Sequence, residues 1–353
     1  MRLMNAFGDR AAHAVLSAMP DRLGARAAID RTVSVSFPTD APPLTGAPSP
    51  LRLWRLARYL RGFDLVFSYN WGGFDAVMAR RLFGGPPLIH HEDGFNEDEA
   101  ERLNPKRNLY RRIGLKGAWR LVVPSARLER IARAHWGISA VRIANGIPVA
   151  RFATPPADAI AGLEKKPGEV VIGTVAGLRA VKNLPRLVRA LARMTNRQTR
   201  LVIVGEGPES ERIAAEARAR GVASRVLMPG FLGDPARWIG QFDIFALSSD
   251  SEQFPISLIE AMAAGLPAVA TAVGDVPDIV AEDNKPLIVD RDDEAAFAAA
   301  LDSLADQPHL RKAIGAANRE KAAALYDEEE MIAAYARLYG EAIGRPEAFG
   351  GLT

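Results

Sequence analysis

FDIFALSSDSEQFPISLIEAMAAGLPAVATAVGDVPDIV, residues 242–280, holds a complete strand–loop–helix–strand passage. Phe242–Ser248 is short, apolar and aromatic, which reads as a buried strand. Ser249–Phe254 is then the loop at its carboxyl end, the edge where open α/β sheets bind ligands. Pro255 suits the first turn of a helix, because its missing N–H is not needed there. The helix predicted over Pro255–Ala264 stops at Gly265, with Pro267 beyond it. Its start offers unpaired backbone N–H groups and the positive end of the helix dipole, a setting suited to phosphate. Glu252 stands just before that start and Glu260 lies inside the helix. The two carboxylates bracket a place for a molecule that carries phosphate between hydroxyl-bearing groups, since a carboxylate accepts hydrogen bonds from hydroxyls. The competing reading is local: Ser249 with Glu252, and Ser257 with Glu260, each have the Ser-x-x-Glu spacing of a capping box.

The same alternation runs through the chain. Strands are predicted at Ala14–Ser17, Asp64–Ser68, Pro87–His90, Arg120–Pro124 and Val141–Ala144. A second series follows at Val170–Val175, Arg200–Val204, Val226–Pro229, Ile244–Leu247, Pro267–Thr271 and Pro286–Val289. Strands spaced by helical stretches read as βαβ units in parallel sheets. A Pro-, Ala- and charge-rich run at 151–168 reads as a linker between two Rossmann-like domains, 1–150 and 169–328, with a cleft between them. Residues 329–353 read as a terminal helix and tail. A length of 353 residues agrees with two domains. No apolar run approaches the roughly eighteen residues of a membrane-spanning helix. The absence of cysteine excludes disulfides, thiolate catalysis and cysteine-ligated metals. The net charge of +3 is split: residues 1–150 carry 22 Lys and Arg against 13 Asp and Glu, and the rest carry 23 against 29. The first half is expected to meet something anionic.

The ordered motifs resemble glycosyltransferase family 4, enzymes of the GT-B fold. The 242–280 passage is similar to the family's donor-site signature with its Glu-x7-Glu pair. IGTVAGLRAVKNLPRLVRAL, 172–191, is similar to its Gly-x-Leu-Arg-x-x-Lys-Asn segment. VIVGEGPESERI, 202–213, MPGFLGD, 228–234, and NGI, 145–147, match further units. The resemblance implies an α/β GT-B architecture, two Rossmann-like domains facing a cleft with the C-terminal helix crossing back to the first. It implies a retaining, metal-independent transferase whose donor is a UDP- or GDP-sugar and which needs no cofactor. Gly177, Arg179 and Lys182 would serve the donor's diphosphate. Phe254, Pro255 and Ile256 would offer it backbone N–H groups. Glu252 would hold hydroxyls of the transferred sugar, Glu260 would accept from the ribose, and Met228 would border the base. Asp278 stands where the family usually has Glu. The one Asp-x-Asp, Asp290–Asp292, follows a late strand and reads as an acidic loop rather than a metal site.

In the first domain, a predicted strand ends in His90, His91, Glu92, Asp93. The resemblance implies that one polar residue here serves the reacting sugar; Asp93 is the best match, with His90, His91 and Glu92 as acceptor-side rivals. Two His beside two carboxylates also raise a metal site, but neighbours on a strand point to opposite faces. A basic run follows: Arg102, Lys106, Arg107, Arg111, Arg112, Lys116 and Arg120, with Leu109, Tyr110 and Trp119 interleaved. It reads either as a solvated face or as a contact, through 102–133, with an anionic membrane or a pyrophosphate-linked lipid. Acidic residues at 97–101 and the lack of a nucleic-acid motif speak against nucleic acid. Residues 1–18 read as the second half of a helix followed by a strand, and the family's Gly-rich acceptor loop is not found. The expectation is a chain that begins late, at an internal Met.

The function expected is transfer of a sugar to a lipid-linked or glycan acceptor in polysaccharide, lipopolysaccharide or glycolipid synthesis, in the cytoplasm or on the inner membrane face. The alternatives are a catalytically impaired sugar-nucleotide-binding protein and a nucleotide-sugar epimerase of the same fold.

Overall fold

The computed structural model describes residues 1–19, 21, 23–95, 99, 103–153 and 159–350. The chain divides into two compact units. The first contains residues 1–144 and returns from Glu329 onward; the second is Asn145–Glu328. The boundary thus falls before residue 150. Residues of the expected linker belong to the second unit, because Phe152 and Ile160 are buried and Arg151 pairs with Asp234 at 2.6 Å. Residues 154–158 of that segment lie outside the described residues.

The first unit opens with helix α1, Arg2–Phe7, followed by strands β1, His13–Ala14, and β2, Val35–Ser36, which pair in parallel. The β2 strand has no counterpart among the expected ones, since a two-residue Val-Ser pair gives no periodic signal. Helix α2, Pro50–Leu60, starts where Ser49 accepts from the Arg52 amide at 3.3 Å and Pro50 occupies the first turn. It buries Leu53, Leu56, Ala57 and Leu60, spaced to form one stripe. A four-stranded parallel sheet then runs in sequence order: β3, Val66–Tyr69; β4, Leu88–His91; β5, Arg120–Val123; and β6, Val141–Arg142. The crossover helices are α3, Phe74–Phe83, α4, Pro105–Gly114, and α5, Ala126–Ile131.

The second unit is a six-stranded parallel sheet. Its strands are β7, Val170–Val175; β8, Thr199–Val204; β9, Val226–Gly230; β10, Ile244–Leu247; β11, Ala268–Thr271; and β12, Ile288–Val289. Their spatial order is β12-β11-β10-β7-β8-β9. The chain therefore winds outward from β7 in one direction, then starts again at β10 on its other side. The adjacent carboxyl ends of β7 and β10 form the topological switch point, where such sheets open a crevice. Helices α6, Pro185–Arg193, α7, Ser210–Ala219, α8, Ile256–Ala263, α9, Val276–Ile279, α10, Glu294–Asp306, and α11, Pro308–Leu325, complete it. The last helix, α12, Glu328–Ala342, goes back to the first unit. There Tyr335, Ala336, Leu338 and Tyr339 pack with Phe7, Ile89, Val122 and Ile143. No described helix is long and apolar enough to cross a membrane.

Candidate functional site

At the switch point two loops are stitched together. One leaves β7 and the other leaves β10. The Asp250 amide donates to Val181 O at 2.8 Å, and Ser248 Oγ donates to Lys182 O at 2.9 Å. Asn183 sits at φ +42, a left-handed conformation that Asn tolerates, and its amide donates to both Asp250 oxygens at 3.1 Å. Arg186, buried, holds the same loop through Ser248 O at 2.6 Å and Asp250 Oδ1 at 2.9 Å. The outcome is that Lys182 Nζ lies 2.5 Å from Glu252 Oε1, which also accepts from Ser249 Oγ at 2.6 Å. Two residues 70 positions apart in sequence become one ion pair. Gly274, φ +59, underlies the loop: a Cβ there would stand 2.2 Å from Glu252 O, so any side chain displaces the glutamate. Gly205 does the same for the first loop, its backbone lying against Ala176 O.

The remaining candidates of this unit lie at the same sheet edge. Arg179 and Gly177 are exposed, and Arg179 forms no ion pair among the described residues. Helix α8 begins one residue later than expected, at Ile256, with Pro255 as its N-cap, and it has no side-chain cap. The Leu258 amide turns back to Pro255 O at 3.2 Å, and the Ile256 and Ser257 N–H groups remain for another acceptor. Ser257 is inside the helix, so the Ser257–Glu260 capping box does not form. Ser249 does bond Glu252, but six residues ahead of the N-cap, so that pair caps nothing. The Phe254 ring packs edge-on to Tyr326, centroids 5.7 Å apart. Glu260 is half-buried on α8. Met228, on β9, is half-buried against the main core of the unit, so its packing is shared with any contact to a base. In the Asp290–Asp292 loop, Asp290 Oδ1 accepts the Asp292 amide at 2.8 Å and closes its own turn.

The first unit handles its candidates differently. Strand β4 is buried along its whole length. His90 points to one face, edge-on to Phe74 at 5.1 Å, with Nδ1 2.9 Å from Ser68 Oγ. His91 points to the other, stacked on Tyr69 at 4.6 Å and 3.4 Å from Tyr339 O–H. Burial first, and the neighbouring His90 second, push the His91 pKa down to about 3. Glu92, 1% exposed, lies 3.3 Å from Arg111 Nε. Arg111 in turn makes a bidentate pair with Glu99 at 3.0 and 3.1 Å, beneath the rings of Trp71, Phe95 and Trp136. Burial opposes ionisation of Glu99, and the Arg111 and Arg107 hydrogen bonds outweigh it, so its carboxyl sits below the usual value.

Among the four residues from His90 to Asp93, Asp93 alone keeps solvent access. Its amide is held by Asn70 Oδ1 at 2.8 Å, and Asn70 takes a left-handed φ of +50. Partial desolvation, then the Glu92 charge, raise the Asp93 pKa against the opposing pull of His90 and Asn70. Asp93 lines a cavity of about 240 Å³ with Asn70, Trp71, Gly94, Phe95, Glu99 and Arg111. Asn70 and Trp71 were missed at the sequence level, although SYNWGG, 68–73, carries a turn signal directly after a strand.

The basic run needs correction. Arg111 is buried and Arg107 is tied to Glu99 at 3.0 Å, so neither belongs to a surface patch. Arg120 stacks over the adjoining Trp119 ring at 4.4 Å. The outer face of α4 and the turn after it keeps Lys106, Leu109, Arg112, Ile113 and Lys116. Arg102 lies outside the described residues, as do 97, 98, 100 and 101 of the acidic segment.

Comparison with known proteins follows this division. The model "Glycosyl transferases group 1" matches residues 157–321, and "Glycosyltransferase Family 4" matches residues 2–151. The GDP-mannose-dependent alpha-(1-6)-phosphatidylinositol monomannoside mannosyltransferase of Mycolicibacterium smegmatis is 30% identical over 323 residues, covering 85% of this chain and 82% of its own. The chain belongs to glycosyltransferase family 4. The chain matches the N-acetyl-alpha-D-glucosaminyl L-malate synthase of Bacillus anthracis over 172 residues at 27% identity, and there it spans only 45% of that relative's length. Among solved structures, Anabaena HepE in complex with UDP and glucose superposes with a TM-score of 0.73 at 19% identity, over 88% of this chain and 87% of its own. That likeness establishes the GT-B fold.

Proposed function

We propose that the transferase moves a sugar from a UDP- or GDP-sugar to an acceptor hydroxyl, with retention of anomeric configuration and without a metal or a further cofactor. The observation that supports this most is the Lys182–Glu252 pair at the switch point, 2.5 Å apart beside an uncapped helix start. A cation and helix-terminal N–H groups suit a diphosphate; a carboxylate beside them suits sugar hydroxyls. Arg179, Lys182 and the Ile256 and Ser257 amides of α8 would carry the charge that develops on the leaving diphosphate, the task a metal performs elsewhere. Glu260 would receive a ribose hydroxyl. The bond from the anomeric carbon to the phosphate oxygen breaks, the bond to the acceptor oxygen forms, and the acceptor proton passes to the leaving phosphate on the same face. Asp93 is the acceptor-side carboxylate.

The acceptor we propose is lipid-linked or a growing glycan of a cell-surface polysaccharide, lipopolysaccharide or glycolipid. The relative named for a phosphatidylinositol mannoside supports a lipid-borne acceptor. So does the outer face of α4, where Leu109 is 60% and Ile113 44% exposed among Lys106, Arg112 and Lys116. That arrangement suits peripheral contact with an anionic membrane at its cytoplasmic face. Replacing both apolar residues by Glu should abolish sedimentation with phosphatidylglycerol vesicles; unchanged sedimentation would remove this part. For the reaction, the test is incubation with UDP- and GDP-sugars and a glycolipid extract. One product should gain a hexose mass with retained configuration. Donor that binds but never turns over would mark an impaired binding protein, and an epimerised sugar formed without acceptor would mark an epimerase.

A further inference from the structure

Of the two cations at the switch point, Arg179 is exposed and unpaired among the described residues, whereas Lys182 is held by Glu252. The pairing is built in. Both backbones are fixed by the Ser248–Lys182 and Asp250–Val181 hydrogen bonds and by the close approach of Gly274 to Glu252 O. Side-chain exposures of 16% and 9% leave little water to take over either charge. Ser249 Oγ adds a second donor to the same carboxylate oxygen.

We propose that Glu252 is a specificity-determining counter-ion, which yields Lys182 to the diphosphate only when the hydroxyls of the donor's sugar take the lysine's place. This rests on the proposed donor site. A nucleotide-sugar brings both halves of the exchange: phosphate oxygens for Lys182 and hydroxyl donors for Glu252. A nucleoside diphosphate brings only the first. To recruit Lys182 it must leave Glu252 as a half-buried carboxylate without a cation, next to its own negative charge, which is unfavourable on both counts. The site thereby favours substrate over the nucleotide product and lets that product go once the sugar has left.

The experiment is calorimetric titration of the full chain with UDP, UDP-glucose, GDP and GDP-mannose, on wild type and Glu252→Gln. For the base that binds, Glu252→Gln should tighten the nucleoside diphosphate about fivefold and weaken the nucleotide-sugar, moving the ratio of their dissociation constants tenfold or more. Unchanged or weaker binding of the nucleoside diphosphate overturns the inference, while leaving the donor site in place. No binding of any of the four by wild type overturns the donor site as well. A wild-type readout stands beside the variant: the side-chain ammonium resonance of Lys182 should move with the nucleotide-sugar and stay with the nucleoside diphosphate alone. Equal movement with both contradicts the exchange.

Discussion

The two units place their polar candidates in opposite settings. At the switch point of the second unit, Arg179, Lys182, Glu252 and Glu260 lie on loops or a helix at a sheet edge with access to solvent. In the first unit, His90, His91, Glu92, Glu99 and Arg111 are each 2% exposed or less. The first set is open to a ligand, as the proposed donor site requires. The second is packed as a foundation, from which Asp93 reaches outward. A row of charged residues in sequence does not distinguish these cases; burial does.

The largest effect is expected at Arg111. Arg111→Ala strands the Glu92 and Glu99 carboxylates in a buried site, and should cost about 3 to 5 kcal/mol. Denaturant unfolding, with hydrogen exchange to localise the loss to the first unit, is the check; a cost within 1 kcal/mol would show the cluster to be wet.

Acid should act next, and again on the first unit. His91 binds a proton in the unfolded chain near pH 6.5 but in the folded chain only near 3. Between those values the unfolded state holds more protons, so stability falls as pH falls through the window. The slope approaches about 1.4 kcal/mol per pH unit, which integrates to roughly 2.3 kcal/mol between pH 6.5 and 4.5. The slope should be absent in His91→Phe; if it persists there, another group carries it.

In the second unit, Gly274→Ala is expected to cost about 1 to 3 kcal/mol through its left-handed φ and its clash with Glu252 O, and to weaken nucleotide binding along with stability. Lys182→Ala should have the smallest effect on stability, within about 1 kcal/mol, because the Ser249 hydroxyl still donates to Glu252 when the lysine is gone. Nucleotide-sugar affinity should nevertheless drop at least tenfold. Titration of this variant sharpens the contrast: stability intact and binding lost in one unit, the reverse in the other.

The parallel-sheet architecture was legible from the alternation of apolar runs with helical periods, and each of the eleven expected strands lies within three residues of an observed one. The carboxylates around residue 255 were legible too, because a strand end, a loop and a helix start follow one another without interruption. Three features were not. The ion pair of Lys182 with Glu252 depends on β7 and β10 becoming neighbours, which sheet order decides and local pattern does not. The inward turn of Arg107 and Arg111 depends on Glu99, since a helical period places them on a face without saying what the face meets. Tyr335 and Tyr339 behind His91 come from a helix nearly 250 residues away.

The crevice at the ends of β7 and β10 is proposed to bind a nucleotide-sugar. Thermal unfolding of wild type and Glu260→Ala with a panel of UDP- and GDP-sugars tests it without any acceptor. A donor at a hundred times its dissociation constant adds about 2.7 kcal/mol, which raises the midpoint by several degrees. Such a rise is expected with donors of one base and is lost in Glu260→Ala. A rise of equal size in the variant, or none with any donor, would contradict it.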